Sequence, residues 1–139
     1  MSHPIGAFGP LHVLVVDDDP IIHLVLEGHY TALGFSVITA NNGQEALQAF
    51  TQRKPDIVLC DRVMPEMSGA EFLTALRERK EDLSTTVFVF LTALTDRRDK
   101  YAMMELEPDG FLDKPVDFEH ADRTLAKLLE KKRGAPASA

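Results

Sequence analysis

Asp56-Ile57-Val58-Leu59-Cys60-Asp61-Arg62-Val63-Met64-Pro65-Glu66-Met67-Ser68-Gly69 reads as an apolar strand that hands one carboxylate, Asp61, into a polar loop. The residues from Ile57 to Cys60 show no polar alternation, the pattern of a strand covered on both faces. Such cover calls for helices above and below a parallel sheet, and sheets of that kind place their chemistry at the carboxyl ends of the strands. Asp61 stands at such an end.

Outward from this segment the pattern repeats. Apolar runs recur at Val13 to Val16, Phe35 to Thr39 and Val87 to Leu91, with a weaker one at Phe111-Leu112. Helical periodicity fills the intervals. Asp19 as N-cap and Pro20 at the first helical position open a helix whose Ile22, Val25, Leu26, Tyr30 and Leu33 recur at three- and four-residue steps until Gly34. Further helices are predicted near Gly43 to Thr51, with Ala46, Leu47 and Phe50 inward, and near Gly69 to Lys80, with Phe72, Leu73 and Leu76 inward. The last two are predicted near Asp96 to Leu106 and near Phe118 to Lys132. Strand followed by helix, five times over, predicts an α/β domain with a doubly wound parallel sheet and right-handed crossovers. Residues 1–10 read as a flexible leader, 11–132 as the domain and 133–139 as a flexible tail.

Composition narrows the function. The 139 residues suit one domain, and a formal charge of −7 disfavours a nucleic-acid surface, which needs a basic patch. The one cysteine, Cys60, excludes an internal disulfide framework and fits a reducing compartment. No apolar run approaches the roughly 20 residues of a membrane span. A cytoplasmic protein is the expectation. The histidines His3, His12, His23, His29 and His120 show no metal-ligand or catalytic spacing.

Parallel strands end on the same side, so Asp17 and Asp18, Asp61, Thr92 and Lys114 can share one crevice. Carboxylates about 4 Å apart repel by about 4 kcal/mol per pair at an effective dielectric near ~20. An all-oxygen cluster of this kind suits a hard divalent ion that keeps several waters, Mg²⁺ (or Mn²⁺). A carboxylate can accept a phosphoryl group covalently when the incoming charge is neutralised, here by the ion, the Lys114 ammonium and the Thr92 hydroxyl.

Val15-Val16-Asp17-Asp18-Asp19, Asp61 to Gly69, Leu91-Thr92-Ala93 and Asp113-Lys114-Pro115 stand in the order and at the spacing that resemble receiver domains of two-component response regulators, single-domain chemotaxis regulators among them. The resemblance covers about residues 11–131. It implies a flavodoxin-like three-layer sandwich with strand order 2-1-3-4-5 and a cis Lys114-Pro115 peptide. It implies that Asp61 is the phosphoacceptor, that Asp17, Asp18 and the Arg62 backbone carbonyl join it in holding the metal, and that Thr92 and Lys114 bind the phosphoryl group. Implied partners are a histidine kinase or histidine phosphotransfer protein, a downstream protein read by the face of helix four, strand five and helix five, and a homodimer formed on phosphorylation. The module either stands alone or belongs to a longer chain. Neither direct nucleic-acid binding nor membrane attachment is implied.

Three departures from the family pattern carry expectations of their own. Val63 and Leu94, two residues beyond Asp61 and Thr92, are apolar where the lifetime of the phosphoryl group is tuned, so water is offered no hydrogen bond and autodephosphorylation is slow. Phe111 holds the aromatic switch position without a hydroxyl and responds, with Thr92, by packing. Glu107-Pro108 replaces a Gly-Ala step, and Met103 replaces a small residue, so helix four must end by other means and is expected to be displaced or more mobile.

Two further classes compete with the signalling module. An aspartyl-phosphate hydrolase would need an acid/base carboxylate beside the nucleophile and a substrate cap, for which no insertion is visible. A non-phosphorylated binding module has no need of the full acidic, hydroxyl and ammonium set. A flavin carrier is weaker than either, because the loop after the first strand is acidic.

Overall fold

The computed structural model describes residues 3–93 and 97–136. Its elements run β1 (His12–Val16), α1 (Pro20–Ala32), β2 (Ser36–Ala40), α2 (Gly43–Gln52), β3 (Ile57–Asp61), α3 (Gly69–Glu78), β4 (Val87–Ala93), α4 (Arg97–Met104), β5 (Gly110–Lys114) and α5 (Phe118–Arg133). The strands form one parallel sheet in the order β2-β1-β3-β4-β5. This is the expected architecture. Leu94, one of the two residues assigned to phosphoryl lifetime, lies outside the described residues, as does Asp96 at the expected start of helix four.

Burial follows position in the sheet. β1 is buried along its whole length and β3 and β4 up to their last residue, whereas the edge strands β2 and β5 are only partly covered. Alternate residues feed two cores, since successive side chains point to opposite faces. Val13, Val15, Leu59 and Val89 pack with Leu26 and Tyr30 of α1 and with Leu125 and Leu129 of α5. Leu14, Val58, Cys60 and Phe90 pack on the other face with Leu47 and Phe50 of α2 and Phe72 and Leu73 of α3. Each fully buried aromatic or aliphatic side chain contributes roughly 1.5–3 kcal/mol. One polar tie crosses the first core: the buried Tyr30 hydroxyl donates to Asp122 Oδ1 at 2.9 Å, while His29 Nε2 lies 2.7 Å from Asp122 Oδ2. Burial and that carboxylate raise the Tyr30 pKa, so the phenol keeps its proton as donor.

The inward face of α1 is narrower than its periodicity suggests. Leu26 and Tyr30 are buried and Ile22 packs beside them, but Val25 is 47 % and Leu33 42 % exposed, with Ile21 and Leu24 more open still. Ile22, Leu26 and Tyr30 form one i, i+4, i+8 row, and a single such row fills the groove over β1. Val25 is rotated about 100° from it, and Leu33 lies past the helix end.

Helix four ends by a device of its own. Glu107 takes a left-handed φ of 53° where glycine would do so without strain, and its N–H donates to Met104 O at 3.0 Å. Arg77 of α3 reaches across and donates to the carbonyl oxygens of Leu106 and Glu107. A guanidinium on the carbonyls of a helix C-terminus satisfies orphan acceptors and opposes the dipole. Met103 is 5 % exposed in the second core, which anchors the helix there. A buried methionine and an external clasp thus hold the end of helix four. Arg77→Ala is expected to lower stability by about 1 kcal/mol, the site being exposed, and to speed amide hydrogen exchange from Met103 to Glu107 more than in α2. Uniform exchange across both helices would contradict a local clasp.

Among the described residues, parts of the segments on either side of the domain pack against it. Ile5–Phe8 forms a 3₁₀ turn against α5, Ile5 is 5 % exposed in the first core, and His3 pairs with Glu130. Pro136 is buried, and Arg133 at the end of α5 donates to Asp56 Oδ1 at 2.6 Å. Isolated apolar residues in a Gly/Pro-rich leader give no periodicity, so their docking cannot be read from sequence.

Candidate functional site

Three loops deliver the site. The register of β1 with β3 brings Val16 beside Cys60, so Asp17 and Asp61, the next residue of each, come out as neighbours. Asp17, Asp18 and Asp61 each offer a carboxylate oxygen within 4.8 Å of the others. Lys114, at the end of β5 two strands from β3, extends its Nζ to 2.9 Å from Asp17 Oδ2 and 3.2 Å from Asp61 Oδ1. The Lys114-Pro115 peptide is cis, as expected.

Local chemistry holds each carboxylate. Asp17 is fully buried; its Oδ1 accepts the Asp19 N–H at 2.9 Å, and its backbone N–H donates to Ala40 O at 3.0 Å. Asp19 turns away and caps α1, accepting from the Ile21 N–H at 2.9 Å. Asp61 Oδ1 accepts the Arg62 N–H at 2.8 Å, and the Arg62 carbonyl in turn accepts the Gly69 N–H at 3.0 Å. A carbonyl oxygen has two lone pairs and can accept more than one partner.

Burial and charge shift the ionisable groups of the cluster. Burial pushes the Asp61 carboxyl above the ordinary carboxylate range and the Asp17 charge adds to this, against the opposing pull of Lys114 and the Arg62 N–H. Burial also works against the Lys114 ammonium, but its hydrogen bond to Asp17 and the charges of Asp61 and Asp17 prevail, so its pKa lies above the ordinary lysine value. Within this group of described residues three carboxylates face the Lys114 ammonium, and their oxygens are the donors Mg²⁺ prefers. Burial likewise pushes the Cys60 thiol up, so this cysteine is a protonated core residue.

Thr92 lies on β4 between the strands that carry Asp61 and Lys114, and it is 3 % exposed. Its hydroxyl lies 3.3 Å from Asp113 Oδ1. Phe111 packs against Phe90 with ring centroids 6.1 Å apart. Val63 is 58 % exposed. Asp17, Asp18, Asp61 and Lys114 therefore converge, while Thr92 addresses Asp113, to which the sequence reading gave no role of its own.

Three residues have roles at the site that the sequence did not show. Asp113 becomes visible only through strand register. His23 places its Nε2 2.5 Å from the Asp17 carbonyl oxygen, a contact made by the first turns of α1 folding back on the loop. Gly69 stands so close that a Cβ there would lie 2.3 Å from the Asp61 carbonyl oxygen. The glycine itself was legible; its reason was not.

Comparison with known proteins bears on the family of the chain. A family profile described as the response regulator receiver domain matches residues 13–126. The transcriptional regulatory protein KdpE of Mycobacterium tuberculosis is 36 % identical over 127 residues, which cover 91 % of this chain and 53 % of that protein. The probable transcriptional regulator ycf27 of Cyanidium caldarium is 34 % identical over 120 residues, covering 86 % and 47 %. The chain spans about half the length of these two curated relatives. Among solved structures, chemotaxis response regulator CheY4 of Vibrio cholerae superposes with a TM-score of 0.73 at 31 % identity, covering 88 % of this chain and 98 % of that one. The signal receiver domain of a signal transduction histidine kinase from Syntrophus aciditrophicus gives 0.78 at 25 %, covering 91 % and 96 %.

Proposed function

The chain belongs to the response regulator receiver domains, signalling modules rather than classical enzymes, and from that premise we propose that Asp61 accepts a phosphoryl group from a phosphohistidine. The donor is a histidine kinase or histidine phosphotransfer protein. The observation that carries the proposal is the convergence of Asp17, Asp18 and Asp61 within 4.8 Å with the Lys114 ammonium 3.2 Å from Asp61.

In the transfer the N–P bond of the donor breaks as an Asp61 Oδ–P bond forms, and the donor imidazole leaves with the electron pair. Asp17, Asp18, one Asp61 oxygen and the Arg62 carbonyl would hold Mg²⁺ or Mn²⁺, which when bound neutralises charge on the entering phosphoryl oxygens. Lys114 opposes the same charge from the β5 side. Its partners at rest, Asp17 and Asp61, keep it ionised and aimed at the reacting atoms.

The test is incubation with Mg²⁺ and acetyl phosphate followed by intact mass. One phosphoryl adduct supports the proposal, and steady turnover of added phosphate esters without an adduct would instead support a hydrolase.

The donor protein has a landing surface beside the mouth. α1 starts directly after the acidic loop, and Ile21, Leu24 and Val25 are 66 %, 74 % and 47 % exposed. Leu24, Glu27, Gly28, Thr31 and Ala32 line a shallow groove along it, and a groove beside apolar residues suits a helix of the donor. Leu24→Asp is expected to slow transfer from the phosphorylated partner about tenfold, the scale of one interface anchor. Labelling by acetyl phosphate should be unchanged. Equal slowing with both donors would count against this surface. On the output side, Tyr101 at 72 % and Met104 at 53 % exposure keep the face of α4, β5 and α5 open to a downstream partner.

Phosphoryl lifetime follows from Val63. Its open position beside Asp61 gives water access but no hydrogen bond that would orient an attack. Autodephosphorylation is therefore slow. Val63→Asn, which supplies donor and acceptor, is expected to shorten the half-life of the phosphorylated protein by about three- to tenfold on the scale of a positioned hydrogen bond. An unchanged decay curve would remove Val63 from this role.

A further inference from the structure

We propose that Asp113 is a competing acceptor for the Thr92 hydroxyl and holds the switch in its resting position. The inference rests on the reading of Asp61 as phosphoacceptor and adds a residue that acts through Thr92.

The argument is geometric. β4 lies between β3 and β5, so Thr92 has the strand of Asp61 on one side and the strand of Asp113 on the other. In the parallel register Asp61 pairs with Leu91, and Thr92 pairs with Asp113. Cross-strand partners project to the same face of the sheet, which makes their side chains neighbours. The hydroxyl uses that neighbour, with Oγ1 at 3.3 Å from Asp113 Oδ1. At 3 % exposure Thr92 cannot rely on bulk water, and a buried hydroxyl is held by whichever acceptor is within reach. At rest that acceptor lies on the side away from Asp61.

A phosphoryl group on Asp61 presents new anionic acceptors across β4. For the hydroxyl to reach them, the bond to Asp113 must break, and the two acceptors compete for one donor. Phe90 and Phe111, two residues back along each strand, share that face and pack together, so release of Thr92 starts beside the aromatic pair. Asp113 therefore sets how far the unphosphorylated protein populates the active arrangement, and a ligand gains affinity when that restraint is removed.

The test is titration with beryllofluoride and Mg²⁺, followed by calorimetry and by the Thr92 and Phe111 backbone amide resonances. Asp113→Ala is expected to bind beryllofluoride about three- to tenfold tighter, the span of one net hydrogen bond, and to move both resonances toward their bound positions before any is added. Asp113→Asn keeps an acceptor oxygen and is expected to return the affinity toward wild type. In a Thr92→Val background, Asp113→Ala should give no gain, because the donor is gone. Equal gains for Ala and Asn in both backgrounds would show that removing a negative charge explains the effect, and would overturn the proposal. So would unchanged affinity of Asp113→Ala in the Thr92 background. If wild type itself takes up no beryllofluoride, the phosphoacceptor reading fails and the proposal falls with it, an outcome distinct from tight binding that ignores Asp113.

Discussion

Asp61→Asn should carry no phosphoryl group after incubation with Mg²⁺ and acetyl phosphate, whereas the wild-type chain gains one. The amide is nearly isosteric, but its lone pair is delocalised and it cannot form the acyl phosphate of a carboxylate, so loss of the adduct by intact mass should be complete. A second readout shows that the variant is folded. Burial first and the Asp17 charge second raise the Asp61 pKa in the folded chain, so ionised Asp61 opposes folding. A carboxyl whose folded pKa exceeds its unfolded value gives stability that grows as pH falls through the folded value toward the unfolded one. In metal-free buffer near neutrality Asp61→Asn should therefore melt above wild type, and the gap should close as the pH is lowered through the folded pKa of Asp61. Mg²⁺ should raise the wild-type melting temperature, as any ligand of the folded state does, and raise that of the variant less. A phosphoryl adduct persisting on Asp61→Asn would place the acceptor elsewhere.

Gly69→Ala should harm both the fold and the site. An added Cβ would stand 2.3 Å from the Asp61 carbonyl oxygen, with Cys60 Sγ and Phe90 Cε1 each at 3.1 Å. The nearest obstacle is backbone, in the last residue of a strand paired on both sides, and cannot swing aside. Forced overpacking of this kind costs about 1–3 kcal/mol, seen as a melting temperature lower by several degrees. The loop from Arg62 to Gly69 must also shift, and with it the Gly69 N–H that now holds the Arg62 carbonyl at 3.0 Å. Phosphorylation by acetyl phosphate should slow, with a weaker dependence on Mg²⁺. A melting curve and Mg²⁺ dependence equal to wild type would mean that the loop yields freely.

Gly43 makes a useful contrast. There a Cβ would meet Met67 Cγ at 2.5 Å, Sδ at 2.7 Å and Cβ at 2.8 Å, so the thioether can rotate away and the loop that carries Met67 must also give slightly. Gly43→Ala should cost less than Gly69→Ala. Two glycines that look alike in the sequence differ because one abuts the backbone of a central strand and the other a methionine side chain on a loop.

Most of the architecture was legible because strand and helix periodicities coincide with burial. The runs from Val13 to Val16, Ile57 to Cys60 and Val87 to Leu91 are apolar without alternation because helices cover both their faces, and each became a buried strand. Phe111-Leu112 was a weaker signal for the same reason, since β5 is an edge with one face partly open. The acidic and basic candidates were legible because each stands at the end of its strand or within two residues of it. Where periodicity misled, in Val25 and Leu33 of the first helix, the groove admits one row of side chains and leaves the flanking ones outside.

The sequence alone determined that strands and helices alternate, that Asp17, Asp18, Asp61 and Lys114 stand at the carboxyl ends of strands, and that Val63 offers water no hydrogen bond. These are local properties, set by the order of residues along one strand and its loop. Tertiary structure decided what depends on register and on contacts between distant segments. It set Thr92 opposite Asp113, pressed Gly69 against the Asp61 carbonyl, sent Arg77 of α3 to close α4, and docked Ile5 beneath α5. A parallel sheet pairs strands far apart in the chain, and the residue that a side chain meets across it is fixed only when the packed helices choose the register.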